Sequence, residues 1–250
     1  MTPVMLRLDR CRAFLLDILF PNRCPFCGGF IRWDSFICES CREKLASAND
    51  FICRRCGSVS CVCNKENTVL WYDAVFGSFF FDDENVNVGS AIHRFKHTGE
   101  ENIAAAAAEE LSRRLKTEGM AKQDIVVPVP MGKKKQKRRG HNQAELFARC
   151  IGRYLEIPVK NDILYKYDTR DEQHSHSARE RSERVKGLFY TKNTDLSGMR
   201  VIICDDVMTT GSTVNECARL LKAIGAESVI AAVCAVTRLD SQKNIPEEDA

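Results

Sequence analysis

The chain has 250 residues, 44% of them hydrophobic, and 37 Lys and Arg against 34 Asp and Glu give a formal net charge of +3. That is enough for one full α/β domain plus a smaller module, and it contains no run near the roughly 20 apolar residues that a membrane-spanning helix needs. The mild net charge averages over local clusters, the densest being "KKKQKRR" at 133–139 with six positive charges in seven positions.

In chain order, "MLRLDRCRAFLLDILF" predicts an amphipathic helix within residues 1–21. Asp17 interrupts its apolar stretch and no small-residue cleavage site follows, so an export signal is not expected and the chain is read as cytoplasmic, with reduced thiols. Residues 22–64 are short and cysteine-rich, with too little aliphatic periodicity to bury a core. Eight of the 13 cysteines lie there. Cys24, Cys27, Cys38 and Cys41 form C-x2-C, ten residues, C-x2-C, and Cys53, Cys56, Cys61 and Cys63 follow as C-x2-C-x4-C-x-C. Four thiolates make a closed tetrahedral zinc site with no open position for catalysis, and the metal supplies the stability that the core cannot. The first quartet is well spaced. In the second, Cys61 and Cys63 are unusually close, so the ligands of the two sites could interleave. A disulfide framework and an iron–sulfur cluster are the weaker alternatives.

A second domain is expected from 69 to 240. "VLWYDAVFGSFFF" reads as one or two strands, "SAIHRFKH" and "ENIAAAAAEELSRRLKTEG" as helices with Gly119 as a stop, and "DIVVPVP" as a buried strand. "MGKKKQKRRG" reads as a basic loop, "HNQAELFARCIGRYL" as a helix, "PVKNDILYKY" as a strand, and "DTRDEQHSHSARERSERVKG" as a long polar excursion. His174 and His176 in it are read as part of a polar lid rather than as a metal pair. "MRVIICDD", "STVNECARLLKAIGA" and "ESVIAAVCAV" close the domain as strand, helix and strand, and 241–250 reads as a disordered tail. Such alternation, with continuously apolar strands, predicts a parallel sheet with helices on both faces. Cys150, Cys204, Cys217 and Cys234 fall on apolar faces or strands and are expected in the core.

The chemistry concentrates in "VIICDDVMTTGSTV" at 201–214. Ligands of open α/β sheets bind beyond the carboxyl ends of strands, where Asp205 and Asp206 fall. Side chains alternate along a strand, so the two carboxylates diverge. Ionised carboxylates only accept hydrogen bonds, which suits sugar hydroxyls or a hydrated Mg²⁺. Thr209, Thr210, Gly211, Ser212 and Thr213 then lead into a helix whose first amides lack partners, an anion site that Gly211 lets a ligand approach closely. A ribose diol beside a phosphate satisfies both halves. A P-loop is set aside, because no G-x-x-x-x-G-K-[ST] segment occurs.

The run from Val201 to Thr213 resembles the signature of type I phosphoribosyltransferases, which bind phosphoribosyl pyrophosphate (PRPP). With the cysteine module ahead of it, and with "FKHTGE" at 95–100, "VPVP" at 127–130, "RRGHNQAELFAR" at 138–149, Gln173 and "ERSERVKGLF" at 180–189, the chain resembles the ComF family, the bacterial competence protein F group. That resemblance implies a double zinc ribbon ahead of a phosphoribosyltransferase-like α/β domain, and a role in handling DNA taken up during transformation. It implies that Asp205 and Asp206 hold the ribose hydroxyls and carry catalysis, that Thr209 to Thr213 hold the 5′-phosphate, and that Pro130, Met131, Gly132 and Lys133 touch the pyrophosphate. Lys96, Arg138, Arg139, Asn142, Gln143, Gln173 and Arg181 match the family pattern and are candidates for the cleft. Three positions depart from it, His141, His176 and Arg184, where the family shows a large apolar residue, a leucine and an asparagine.

Three functions follow as expectations. One is transfer of the phosphoribosyl group from PRPP with Mg²⁺. Another is a non-catalytic binding module that holds single-stranded DNA through "KKKQKRR" and aromatics such as Phe26, Phe30 and Trp33. The third is an adaptor that recruits a competence helicase or a recombination protein.

Overall fold

The computed structural model describes residues 19, 21–45, 47–59, 69–83, 85–99, 101–168, 185, 187–192 and 194–237. The predicted N-terminal helix as far as residue 18, Cys61 and Cys63, the excursion that carries Gln173, His174, His176, Arg181 and Arg184, and the 241–250 tail lie outside the described residues.

The described elements are α1 (Glu39–Lys44), β1 (Ala74–Phe80), α2 (Val88–Thr98), α3 (Asn102–Thr117), β2 (Ile125–Pro128), α4 (Lys133–Arg139), α5 (Gln143–Leu155), β3 (Leu164–Lys166), β4 (Phe189–Thr191), β5 (Arg200–Met208), α6 (Ser212–Ala223) and β6 (Ser228–Val236). Strands β1, β6, β5 and β2 form a parallel sheet in that order, and β3 pairs with β4 in a separate antiparallel hairpin. Strand alternation divides the apolar side chains between two cores. Val201 and Ile203 pack toward Val214, Cys217 and Leu221 of α6 and toward the hairpin residues Leu164 and Phe189. Ile202 and Cys204 pack toward Phe95 of α2, Ile103 of α3 and Phe147 of α5. Cys150, Cys204, Cys217 and Cys234 are all buried, as expected.

The cysteine module docks beside α3. Ala104 to Ala108 are buried without exception, because α3 is pressed from more than one side and only small residues allow such close approach. On its outer side the ribbon contributes Arg42 to Glu109 at 3.2 Å, Ser47 Oγ to Glu110 at 2.9 Å, and ion pairs of Asp50 with Arg114 and of Arg54 with Glu118. Cys24, Phe26, Ile37 and Cys41 join the same core as Phe79 and Phe95, with the Phe26 and Phe79 rings edge-to-face at 5.5 Å. The ribbon therefore shares a core with the larger domain.

Three sequence expectations change. The basic run is a helix, α4, rather than a loop: Lys, Arg and Gln are good helix formers, and Gly140 at φ 81° supplies a left-handed stop. The stretch from 158 to 167 is two pieces, since Val159 pairs in parallel with Val126 at the sheet edge while Leu164–Lys166 leaves the sheet for the hairpin. Strand β5 continues through both aspartates to Met208, held by β6 as far as Val236.

Candidate functional site

The first cysteine quartet is assembled. Ligand sulfurs of Cys24, Cys27, Cys38 and Cys41 lie within 4.8 Å of one another, with Cys27 and Cys38 Sγ 3.7 Å apart. The Gly29 amide donates to Cys27 Sγ and holds that thiol down to about 7, whereas burial and then the neighbouring thiols push Cys41 up. Thiols so close together cannot all ionise without a cation among them, which fits a structural zinc.

The larger site is a cleft of about 280 Å³ at the carboxyl ends of the strands. Its floor is the end of β5. Asp205 is set toward α6 and Asp206 toward α2, where Lys96 Nζ lies 4.0 Å from Asp206 Oδ2. The carboxylates divide as strand alternation requires. Each is steadied from below: the Asp206 amide donates to Asp205 Oδ1 at 2.9 Å and the Val207 amide to Asp206 Oδ1 at 2.8 Å. Burial, and then the charge of Asp206, hold the Asp205 carboxyl well above the usual carboxylate range. Two adjoining carboxyls with one lysine beside them leave room for further positive charge, which a divalent cation would supply.

Beyond the strand the chain turns through Thr209–Gly211 into α6. Gly211 sits at φ 73° in the left-handed region, a backbone conformation that strains other residues and favours glycine. Thr210 Oγ1 is 2.9 Å from Ser212 Oγ and accepts from the Ser212 amide at 3.5 Å, and the N-cap Gly211 has no side chain to reach the amides that follow, which leaves those for a ligand. Thr213 lines the cleft, and Thr209 to Ser212 form the turn beside it.

Opposite lie Val129, Pro130 and Met131, which follow β2. Asn142 and Gln143 reach the cleft, but their amides hold backbone. Asn142 donates to Val129 O at 3.0 Å while its Oδ1 caps α5, and the fully buried Gln143 donates to Lys96 O at 3.1 Å. His141 occupies the apolar position of the family pattern, with Nε2 3.1 Å from Phe95 O.

Of the basic candidates, Lys96 and Arg139 line the cleft, the side chains of Lys133 and Arg138 are exposed and lie outside its lining, and Lys135 joins the lining. On a helix, residues four apart share a face, and a reading of the run as loop could not sort its charges. Gly132 is also absent from the lining, and the Lys133 amide donates to Asp168 Oδ1 at 2.8 Å. The sequence reading missed Lys135 and the hairpin side of the cleft, Lys166, Leu188 and Phe189, together with Val185. Helical periodicity within "KKKQKRR" was the available signal for Lys135.

Fold and cleft together define a phosphoribosyltransferase-type domain joined to a zinc ribbon. A family model described as phosphoribosyl transferase domain matches residues 98–249, and one described as double zinc ribbon domain matches residues 15–69. Relatives include the competence protein ComFC of Bacillus subtilis, 30% identical over 75% of this chain and 78% of that protein. Competence protein F of Haemophilus influenzae is 29% identical over 84% and 95% of the two chains. The DNA utilization protein YhgH of Escherichia coli is 29% identical over 82% and 86%. The chain belongs to the ComF family of phosphoribosyltransferase-domain proteins. Among the described residues no helix is long and apolar enough to cross a membrane.

Proposed function

We propose that the cleft binds PRPP with Mg²⁺ and transfers its phosphoribosyl group to an acceptor. The observation that carries this reading is the facing of two charge types across one cleft: Asp205 and Asp206 on the floor, Lys96, Lys135 and Arg139 on the walls. The carboxylates would accept from the ribose hydroxyls, the Gly211 turn and the start of α6 would take the 5′-phosphate, and the lysines and arginine would take the pyrophosphate. Mg²⁺, when bound, would neutralise charge on the departing pyrophosphate. In the transfer the C1–O bond to pyrophosphate breaks with its electron pair leaving on oxygen, and the acceptor's lone pair forms the new bond to C1 from the opposite face. The chain's own part is positioning and electrostatics, and the acceptor releases its proton to solvent or to a neighbouring carboxylate. The hairpin residues Leu188 and Phe189 give the cleft an apolar wall that would exclude water from C1. Incubation with PRPP, Mg²⁺ and a panel of nucleobases, ammonia and DNA, with pyrophosphate release followed, is the test. Release that depends on acceptor and disappears in Asp206→Asn supports the reading, and no release with any acceptor counts against transfer.

The second reading is single-stranded DNA handling by a cytoplasmic protein. Exposed Lys133, Lys134, Lys137 and Arg138 on α4, adjoining the cleft, favour it, and the relatives' names concern competence and DNA utilization. The ribbon, with Arg23 stacked 4.2 Å over exposed Phe30, would serve as a docking face for a helicase or recombination protein. The slope of DNA affinity against salt separates strand binding from protein docking.

A further inference from the structure

Lys96 reaches the cleft from α2, a helix of 11 residues that is too short to hold its shape unaided. Two neighbours fix its end. From α5 and the residues just before it, Gln143 Nε2 donates to Lys96 O at 3.1 Å and His141 Nε2 lies 3.1 Å from Phe95 O. From the ribbon, Pro25 O accepts from the Arg94 guanidinium. Asn102, the first residue of α3, adds a second hold, donating from Nδ2 to Asn22 Oδ1 at 2.6 Å and to Arg23 O at 3.1 Å.

The ribbon atoms that receive these bonds belong to the first metal knuckle. Arg23 precedes Cys24, and Pro25 stands between Cys24 and Cys27. The Cys24 amide donates to Gly29 O at 2.8 Å and the Gly28 amide to Cys24 O at 2.9 Å, which closes the turn. Asn22 ties it to the other half of the site: its Nδ2 donates to Ser35 O at 2.7 Å and to Arg32 O at 3.2 Å, in the stretch that leads to Cys38. A metal shared by Cys24, Cys27, Cys38 and Cys41 would lock this turn to α1, which carries Cys41. The carbonyls offered to Arg94 and Asn102 are then fixed by the same turn that presents two of the ligands. Arg94 is two residues from Lys96, whose Nζ lies 4.0 Å from Asp206 Oδ2.

We propose that Arg94 and Asn102 are positioning residues through which the metal-bound knuckle holds the end of α2, so that the ribbon completes the basic wall of the cleft by setting Lys96 beside Asp206. The consequence for a pyrophosphate-bearing ligand rests on the reading of the cleft given above, and the hold on α2 stands apart from it. With zinc in place, α2 is clamped between the knuckle and α5, and Lys96 meets the ligand already ordered. With the clamp cut, α2 loses its hold on the ribbon side, and Lys96 must be ordered as the ligand binds, which lowers affinity.

The test is a double-mutant cycle in the full chain between the clamp, cut by Arg94→Leu with Asn102→Ala, and Lys96→Ala, with Arg94→Lys as the conservative control. Metal analysis follows zinc. Hydrogen exchange follows amides 92–99 of α2 against amides 146–155 of α5, and calorimetry follows inorganic pyrophosphate and PRPP with Mg²⁺. Cutting the clamp should leave zinc bound and speed exchange in α2 by about fivefold or more relative to α5. It should also weaken pyrophosphate binding about fivefold, a coupling of about 1 kcal/mol that vanishes in Lys96→Ala. Arg94→Lys keeps a donor for Pro25 O and should retain most of the affinity. Removing zinc from wild type with a chelator should speed the same α2 amides, and should add little once the clamp is cut. If the clamp variant does not fold, Asn102→Ala alone takes its place in the cycle. Equal losses of affinity with and without Lys96, or α2 exchange that neither the variant nor zinc removal moves, would overturn the proposal. If wild type binds neither pyrophosphate nor PRPP, the reading of the cleft falls, and the exchange measurement alone decides whether the ribbon holds α2.

Discussion

Phe26→Ala examines whether ribbon and transferase-type domain are one folding unit. Phe26 is 8% exposed, lies between two of the clustered cysteines, and sets its ring edge-to-face on Phe79 at 5.5 Å. Phe79 belongs to β1 and is itself 5% exposed, so the lost ring leaves a hole that opens onto the sheet. A buried Phe→Ala change costs about 3–5 kcal/mol, with the cavity included. In a protein of this size 1 kcal/mol moves Tm by roughly 2–4 °C, so the fall should be about 6–20 °C. Differential scanning calorimetry gives the transition, and metal analysis on the same sample shows whether the knuckle still holds its zinc. The shared core predicts one transition, lowered by that amount with zinc retained. A transferase-domain transition that stays in place while a smaller one moves would refute the shared core.

Asp205→Asn should raise Tm at pH 8, and the gain should shrink toward pH 4. Burial and Asp206 raise the Asp205 pKa in the folded state, so ionisation costs stability as pH rises above the unfolded value, and the amide avoids that cost while still accepting from the Asp206 amide. A variant less stable than wild type at pH 8, measured by thermal circular dichroism, would count against it. Lys135→Ala with Arg139→Ala should weaken PRPP binding at least about tenfold, since charge-assisted hydrogen bonds contribute about 1.5–3 kcal/mol each. Lys134→Ala with Lys137→Ala should leave PRPP affinity unchanged and flatten the DNA salt slope by about 1.4, at about 0.7 per phosphate. Equal effects of the two pairs on PRPP would mean that α4 does not sort its charges as described. Protein purified without added metal should carry at least one zinc per chain, and Cys38→Ser should remove one equivalent by metal analysis. A folded, metal-free ribbon would refute the thiolate site.

The elements that form the candidate site were legible because their signals are local. "VIICDD" is a continuous apolar run ending in acid, and period-two alternation alone separates Asp205 from Asp206. The alanine run could be read as helix, but not why it is alanine: that follows from burial against α5 and the sheet, contacts between distant segments. Lys135 was obscured by a loop assignment, since without a period every positive charge in the run looks alike. Asp168 on the Lys133 amide, and Phe189 in the cleft wall, depend on contacts between distant segments.

The central claim, that the end of β5 and the turn after it are a PRPP site, is tested most directly by calorimetric titration of PRPP with Mg²⁺ into wild type and the Asp205→Asn, Asp206→Asn double variant. Each anionic acceptor removed forfeits a charge-assisted hydrogen bond of about 1.5–3 kcal/mol, so the double variant should bind at least about tenfold more weakly, with circular dichroism showing the fold intact. Equal affinities in two folded proteins would contradict the account and leave the signature at 201–213 as scaffold.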